Sequence, residues 1–219
     1  MSEDLEQALK VERHPERAVK DRDVALAILG EGLICHVGFV AAGRPWVIPT
    51  MYARDGEVLY LHGSPASRML TGLAGGIEVS VTVTLLDGLV LARSVFSHSM
   101  NYRSVVIVGT AREIVDPDAK LAAMRALVEH VLPGRWDEAR QPNSKEMATT
   151  LVLALPLDHL STKVRTGPPS DGAADRSLPV WAGEIPLTLT FGTPRADALV
   201  ADPVLPGSVI AQTARGVRG

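Results

Sequence analysis

Residues 77–110, IEVSVTVTLLDGLVLARSVFSHSMNYRSVVIVGT, decide the fold. From Val79 to Thr84 apolar and polar side chains alternate strictly, the period of a strand that buries one face. Asp87-Gly88 then reads as a tight turn into LVLARSVF, and the polar SHSMN loop leads into a further strand, YRSVVIVGTAREIV. Upstream, LICHVGFV (33–40), PWVIPTMYA (45–53) and EVLYLHG (57–63) are separated by turn signals at Gly43 and Asp55-Gly56, the pattern of an antiparallel meander. Six strands joined by tight turns predict a closed or nearly closed antiparallel barrel, because closure removes exposed sheet edges. The fold class is therefore mainly β, with flanking helices.

Helical signals are shorter. Asp21 caps DRDVALAILGEG, and Ser64 caps SPASRMLTGLAGG with Pro65 in the first position. In DPDAKLAAMRALVEHVLPG, Asp116 caps, Pro117 follows, and Leu121, Met124, Val128 and Val131 make an apolar stripe. SKEMATT is a further short helix. TTLVLALPLDHLSTKVRTG and VWAGEIPLTLT each read as one more strand. Residues 1–191 are expected to form a single domain. The tail 192–219, rich in Pro, Ala, Gly and Arg, is expected to be poorly ordered unless it lies against a partner chain.

Composition narrows the function classes. The 219 residues carry a net charge of -3, are 46% hydrophobic and only 4% aromatic. Such a balance excludes a disordered polyelectrolyte and a dedicated nucleic-acid binder, which would carry a basic stripe. The polar start, MSEDLEQALK, is not a secretory signal, and no apolar run approaches the roughly 20 residues of a membrane span. A cytoplasmic protein is expected, with no nucleic-acid or membrane partner. The one cysteine, Cys35 in LICHV, reads as a buried small hydrophobe. The six histidines lack metal-ligand spacing, so no metal site is expected.

Neither G-x-G-x-x-G between strand and helix nor a P-loop is present. LHGSPASRML carries more information. A strand ending at His62-Gly63 delivers the chain to a helix start, where backbone N–H groups, the Ser64 and Ser67 hydroxyls and Arg68 can converge on a phosphate. Spacing alone leaves open that Ser64 is only a cap and Arg68 only a solvated side chain. Lys163 and Arg165 alternate in a strand and share a face, which suits either an anion contact or a solvated sheet face. Ser97-His98-Ser99 is not a triad, since neighbours on an extended chain point apart and no orienting carboxylate is near. His130, near the end of its helix, reads as a surface histidine facing the helix dipole.

Taken in order, VIPTMY, LYLHGSPASRML, the 80–111 segment, KVRTGPP and LPVWAGEIPL resemble the FMN-binding split-barrel proteins of the pyridoxamine 5'-phosphate oxidase-like superfamily, nearest the flavin-nucleotide-binding and nitroimidazole-resistance reductase branch. The similarity runs from about Arg13 to Leu189. It implies a six-stranded split barrel, a homodimer and FMN in clefts between subunits. It places Ile48, Pro49, Thr50 and Met51 at the isoalloxazine and His62, Gly63, Ser64, Ser67 and Arg68 at the phosphate. Asn101, Tyr102, Arg103, Ser104, Lys163, Arg165 and Trp181 carry over as cofactor or cross-dimer contacts. His98 is the candidate proton donor to a small-molecule substrate. The resemblance implies an FMN-dependent oxidoreductase. VWAGEIPL stands where true pyridoxamine phosphate oxidases hold an arginine- and histidine-rich segment, so that particular reaction is not implied. A non-catalytic flavin carrier or sensor, a haem or deazaflavin binder on the same barrel, and a purely structural dimer stay open as alternatives.

Overall fold

The computed structural model describes residues 2–200 and 204–214. Helix α1 (Ser2–Leu9) precedes a two-residue strand β1 (Ala18–Val19) and helix α2 (Arg22–Glu31). Strands β2 (Ile34–Ala41), β3 (Arg44–Met51), β4 (Ala53–Asp55) and β5 (Val58–Gly63) follow, then α3 (Arg68–Ala74), β6 (Glu78–Leu91), β7 (Ser99–Thr110) and β8 (Arg112–Glu113). Helices α4 (Pro117–Val131), α5 (Arg135–Glu138) and α6 (Ser144–Ala148) lead to β9 (Leu151–Pro156), β10 (Leu160–Arg165), β11 (Gly183–Pro186) and α7 (Gly207–Ala214).

Two antiparallel sheets make the barrel. The larger runs β1-β10-β7-β6-β2-β3 with β11 added to β6, and the smaller runs β4-β5-β9-β8. Their facing side chains, among them Val37, Leu59, Leu61, Val81, Val83, Ile107, Leu153 and Leu155, form one apolar core. Each such burial contributes about 1.5–3 kcal/mol. The mainly β class with flanking helices is thus the observed one.

The Asp87-Gly88 turn is not there. Strand β6 runs through it, and the ladder with β7 slips at Leu86/Gly88 as a β-bulge. Before the bulge Val79, Val81 and Val83 are buried; after it Gly88 and Val90 are. The extra residue inverts the phase of the pleat. Asp87, left without a ladder partner, gives its carbonyl oxygen to Leu187 N–H at 2.9 Å and its carboxylate to Arg103. A turn-forming dipeptide is therefore absorbed by a third strand and an arginine.

The segment expected as one strand, 45–53, breaks at Tyr52. Strand β3 pairs with β2 in the larger sheet, whereas β4 pairs with β5 in the smaller. Tyr52 is fully buried at that corner, its hydroxyl donating to the Leu29 carbonyl oxygen at 2.7 Å. The chain changes sheet again at the buried Ala111, between β7 and β8. The 149–167 segment, expected as one strand, is two: β9 in the smaller sheet and β10 in the larger. These changes of sheet split the barrel, and a period-two pattern alone does not mark them.

Helix ends also differ in detail. Asp21 and Asp116 cap α2 and α4 as expected, each accepting a backbone N–H. The cap of α3 is Ser67, not Ser64; Ser64 accepts from Ala66 N–H in the preceding turn. In α4 the buried residues are Ala123 and Leu127, while Leu121 is exposed. Small Ala123 lets the helix lie close to the sheet, which moves its inner face away from the larger side chains. His130 is not a simple surface histidine: its Nε2 lies 2.7 Å from the Gly32 carbonyl oxygen, and its ring packs 5.0 Å from Tyr52. In the tail, α7 seats on α5, with Ser208 N–H and Oγ both bonded to the Glu138 carboxylate. Residues 201–203 and 215–219 of that tail lie outside the described residues.

Candidate functional site

Strand β3 ends the larger sheet, so one of its backbone edges is open. Pro45 and Pro49 have no N–H to give, which fits them to positions whose backbone faces away from β2. Val47 and Met51 share that parity and turn their N–H groups to the open edge. This edge carries the sequence-predicted Ile48, Pro49, Thr50 and Met51. A planar heterocycle with ring donors and acceptors can be read by such an edge.

Beside it, Phe39, Ala41, Ala42, Arg44, Trp46, Ile48, Arg68 and Met69 line a cleft of about 480 Å³. The β2–β3 turn that shapes its mouth needs positive φ at both Ala42 (51°) and Gly43 (70°). The Arg68 guanidinium stands 5.9 Å from the centre of the Trp46 ring, a cation–π distance. Ser64 and Ser67 use their hydroxyl oxygens to accept from Ala66 and Leu70 N–H, which leaves each O–H free to donate. Two hydroxyl donors and one guanidinium at this corner suit a phosphate ester. A Cβ at Gly63 would meet Leu70 Cδ1 at 2.8 Å, so a larger residue there must displace that side chain.

His62 is mostly enclosed, and its Nδ1 is buried without a hydrogen-bond partner. Burial pushes the imidazole below its ordinary value, so at neutral pH it carries no charge. An uncharged imidazole is a weak partner for a phosphate dianion and a good one for a metal. It thus differs chemically from Ser64, Ser67 and Arg68, with which the resemblance grouped it.

The remaining predicted residues stand elsewhere. Along the sheet, β7 is three strands from β3, about 14 Å at about 4.8 Å per strand. There Arg165 donates to Asn101 Oδ1 and to the carbonyl oxygens of Gly167 and Pro168, and Asn101 donates to Glu184 at 2.6 Å. Arg103 is held by Asp87 and Glu31 through four hydrogen bonds, so its guanidinium serves two carboxylates. Ser104 donates to the Lys163 carbonyl oxygen, and Lys163 Nζ to that of Arg13. Lys163 and Arg165 share a face but serve different partners. Tyr102 pairs with Arg165 in the ladder, and Trp181 is 65% exposed beside Gly183.

His98 lies at the far end of the β6–β7 hairpin. Its Nδ1 is 3.0 Å from the Ser94 carbonyl oxygen, which can only accept, so Nδ1 carries the hydrogen and Nε2 faces outward. Burial pushes the Cys35 thiol up to about 12, which removes it as a nucleophile. Among the described residues no group of three His, Cys, Asp or Glu side chains could hold a metal ion, and no helix is long and apolar enough to cross a membrane. Sequence reasoning missed Arg44 and Phe39 in the cleft and Glu184 behind Asn101. The first two flank a positive-φ turn whose alanine gives no sequence signal.

Comparison with known proteins agrees with this architecture. The family model described as pyridoxamine 5'-phosphate oxidase matches residues 21–164. No curated protein matches the sequence. Among solved structures, the FAD and heme binding protein from Mycobacterium smegmatis is 38% identical, with a TM-score of 0.88 over 92% of this chain and 98% of that one. The flavocytochrome Anf3 from Azotobacter vinelandii is 36% identical, with a TM-score of 0.90 over 95% and 97%. A 5-nitroimidazole antibiotic resistance protein from Bacteroides thetaiotaomicron shares the fold at 24% identity, with a TM-score of 0.56 over 67% of this chain and 86% of that one. With the family model covering well over half its length and two relatives spanning nearly all of it, the chain belongs to the pyridoxamine 5'-phosphate oxidase family.

Proposed function

We propose that the protein is a flavin- and haem-binding redox protein, an oxidoreductase that works as a homodimer in the cytoplasm. The observation that carries the reading is the near full-length match to an FAD and heme binding protein and to a flavocytochrome, each above 35% identity. The first of these relatives favours FAD over the FMN expected from sequence, and both favour haem alongside flavin rather than in its place.

The residues fit both groups. The open edge of β3 suits the rim of an isoalloxazine, and Ser64, Ser67 and Arg68 suit a flavin phosphate. A haem iron takes a neutral imidazole nitrogen. Among the described histidines, His62 has the buried ring nitrogen that lacks a partner, and its lowered pKa keeps it in the ligating form. Flavin and haem together supply one- and two-electron chemistry, while the chain orients them and limits water access.

The test is spectroscopic. Purified protein, supplied with FAD and haemin, is expected to show both flavin and Soret absorbance, with FAD identified by mass after extraction. Arg68→Ala should weaken flavin retention about tenfold to a hundredfold, the loss of one charge-assisted contact, and keep the Soret band. His62→Ala should do the reverse. Protein that takes up neither group and gains no thermal stability from either would sink the reading.

A further inference from the structure

We infer that Arg93, Ser170 and Arg176 form a binding site for a phosphate monoester, at the end of β6 remote from the open edge of β3. The inference stands on residues outside the flavin and haem reading and does not depend on it.

A cavity of about 480 Å³ lies between the end of β6 and the 166–178 loop, lined by Arg93, Pro169, Ser170, Asp171 and Arg176. Asp171 holds both arginines. Its carboxylate accepts from Arg93 Nη1 at 2.7 Å and from the Arg93 backbone N–H at 2.9 Å, and its carbonyl oxygen accepts from Arg176 Nε at 3.4 Å. The acid itself is turned inward: its side chain is 4% exposed against 31% for Arg93, while Arg176 is exposed. The cavity therefore meets two guanidinium groups rather than the carboxylate that anchors them. Asp175, the other acid of the loop, has its carboxylate over Gly172, where a Cβ would stand 3.5 Å from Oδ2, and is not part of the lining.

The edge of Arg93 that Asp171 leaves unused is the informative one. Paired N–H groups on one edge of a guanidinium grip an oxyanion bidentately. Elsewhere in this chain the Nε/Nη2 edge is filled in that way, by Glu57 on Arg22 and by Asp87 on Arg103. On Arg93, Asp171 takes Nη1 instead, and Nε is enclosed without a hydrogen-bond partner. Buried donors without acceptors are few in folded proteins, because each has given up its bond to water. An oxyanion in the cavity supplies the missing acceptor. Arg176 spends only Nε on Asp171, which leaves its terminal amino groups to donate, and the Ser170 hydroxyl makes no hydrogen bond within the described residues.

The donor set points to phosphate. A tetrahedral phosphate has oxygens for all three side chains, more than a planar carboxylate offers, and the arginine fork matches phosphate geometry. The cavity is larger than one phosphate and within the size range of small-molecule sites, so a phosphate carried on a small organic group fills it. The frame is already ordered: Arg165 donates to the Gly167 and Pro168 carbonyl oxygens, and the Asp175 and Leu178 N–H groups bond the Gly172 and Asp175 carbonyl oxygens. A pre-ordered loop loses little freedom when a ligand binds. The site is also distinct from the cleft at β3. Pro49 lies opposite His36 and His36 opposite Thr82, and from Thr82 to Leu91 the strand runs on for about 30 Å at about 3.3 Å per residue.

The test is an NMR titration of the isotope-labelled full chain, read at the arginine Nε–H signals, which separates this site from the Ser64, Ser67 and Arg68 corner. Glycerol phosphate is expected to shift the Arg93 and Arg176 signals saturably, inorganic phosphate more weakly, and acetate not at all. Arg176, exposed and tied by one long bond, can be replaced without disturbing the loop. Arg176→Gln should weaken glycerol phosphate binding about tenfold or more, and so should Arg93→Lys, which keeps the charge but loses the paired edge. Arg112→Gln, which removes an exposed arginine elsewhere, should bind as the wild type does. Unmoved Arg93 and Arg176 signals overturn the site, as does an Arg176→Gln chain with wild-type affinity. Acetate binding as tightly as glycerol phosphate overturns the assignment to phosphate, and inorganic phosphate binding as tightly as the ester overturns the ester. A chain that takes up neither flavin nor haem while these signals still respond removes the functional reading above and supports this site.

Discussion

The Tyr52 hydroxyl donates to the Leu29 carbonyl oxygen at 2.7 Å, and a Cβ at Gly32 would stand 2.7 Å from that same hydroxyl and 2.5 Å from Val83 Cγ1. The end of α2 is therefore pressed against the point where the chain changes sheet. Tyr52→Phe should cost about 1–2 kcal/mol, because the buried carbonyl loses its partner. Gly32→Ala should cost more, about 2–3 kcal/mol, because backbone or Tyr52 must shift. Urea unfolding of both variants measures the order; a Gly32→Ala chain as stable as wild type would show that the corner is loose.

Arg103 joins Glu31 at the end of α2 to Asp87 in the bulge, and both carboxylates are largely enclosed. Arg103→Leu removes the guanidinium that both carboxylates share. The expected cost at pH 7 is about 2 kcal/mol. Urea unfolding of wild type and variant at pH 7 checks this; a variant as stable as wild type counts against the network.

His62 gives a pH dependence. Its folded pKa lies below the ordinary 6.5 because burial disfavours the charged ring. The unfolded chain therefore binds the proton more readily, so the stability His62 contributes is full above 6.5 and declines as pH falls below it. Stability curves of the cofactor-free protein from pH 8 to pH 5 should dip on the acid side, and His62→Gln should flatten that dip.

Arg93 binds Asp171 through both its backbone N–H (2.9 Å) and its guanidinium (2.7 Å). The Arg93 guanidinium holds the Asp171 carboxyl below its ordinary 3.8. This contribution is complete above 3.8 and is lost as pH falls through the lowered folded value. In Arg93→Gln an NMR titration of Asp171 should return towards 3.8, with faster hydrogen exchange in the 166–180 segment. An unmoved titration would mean that the backbone N–H alone sets it.

Where the chemistry is local, sequence carried the structure well. Alternation at 79–84, the caps Asp21 and Asp116, and the Pro117 start each depend on residues a few positions apart. What escaped depends on distant partners. Asp87-Gly88 forms a bulge because β11 and Arg103 take up its groups, and the strand through Tyr52 divides because Leu29 offers an acceptor. Likewise the resemblance gathered cofactor residues into one set, and the fold sorts them into two, around β3 and around the base of the hairpin. His62 was legible as a site residue, but its uncharged state follows from burial, which spacing does not encode.

The bulge at Leu86/Gly88 makes β6 behave like a message with a shifted reading frame. Its first half addresses the barrel with odd-numbered residues and its second half with even-numbered ones. Deleting Asp87 would not merely shorten the strand; it would rotate everything between the deletion and the hairpin tip to the opposite face, turning Val90 outward and Leu89 inward. One residue therefore sets which side of the molecule the far hairpin presents.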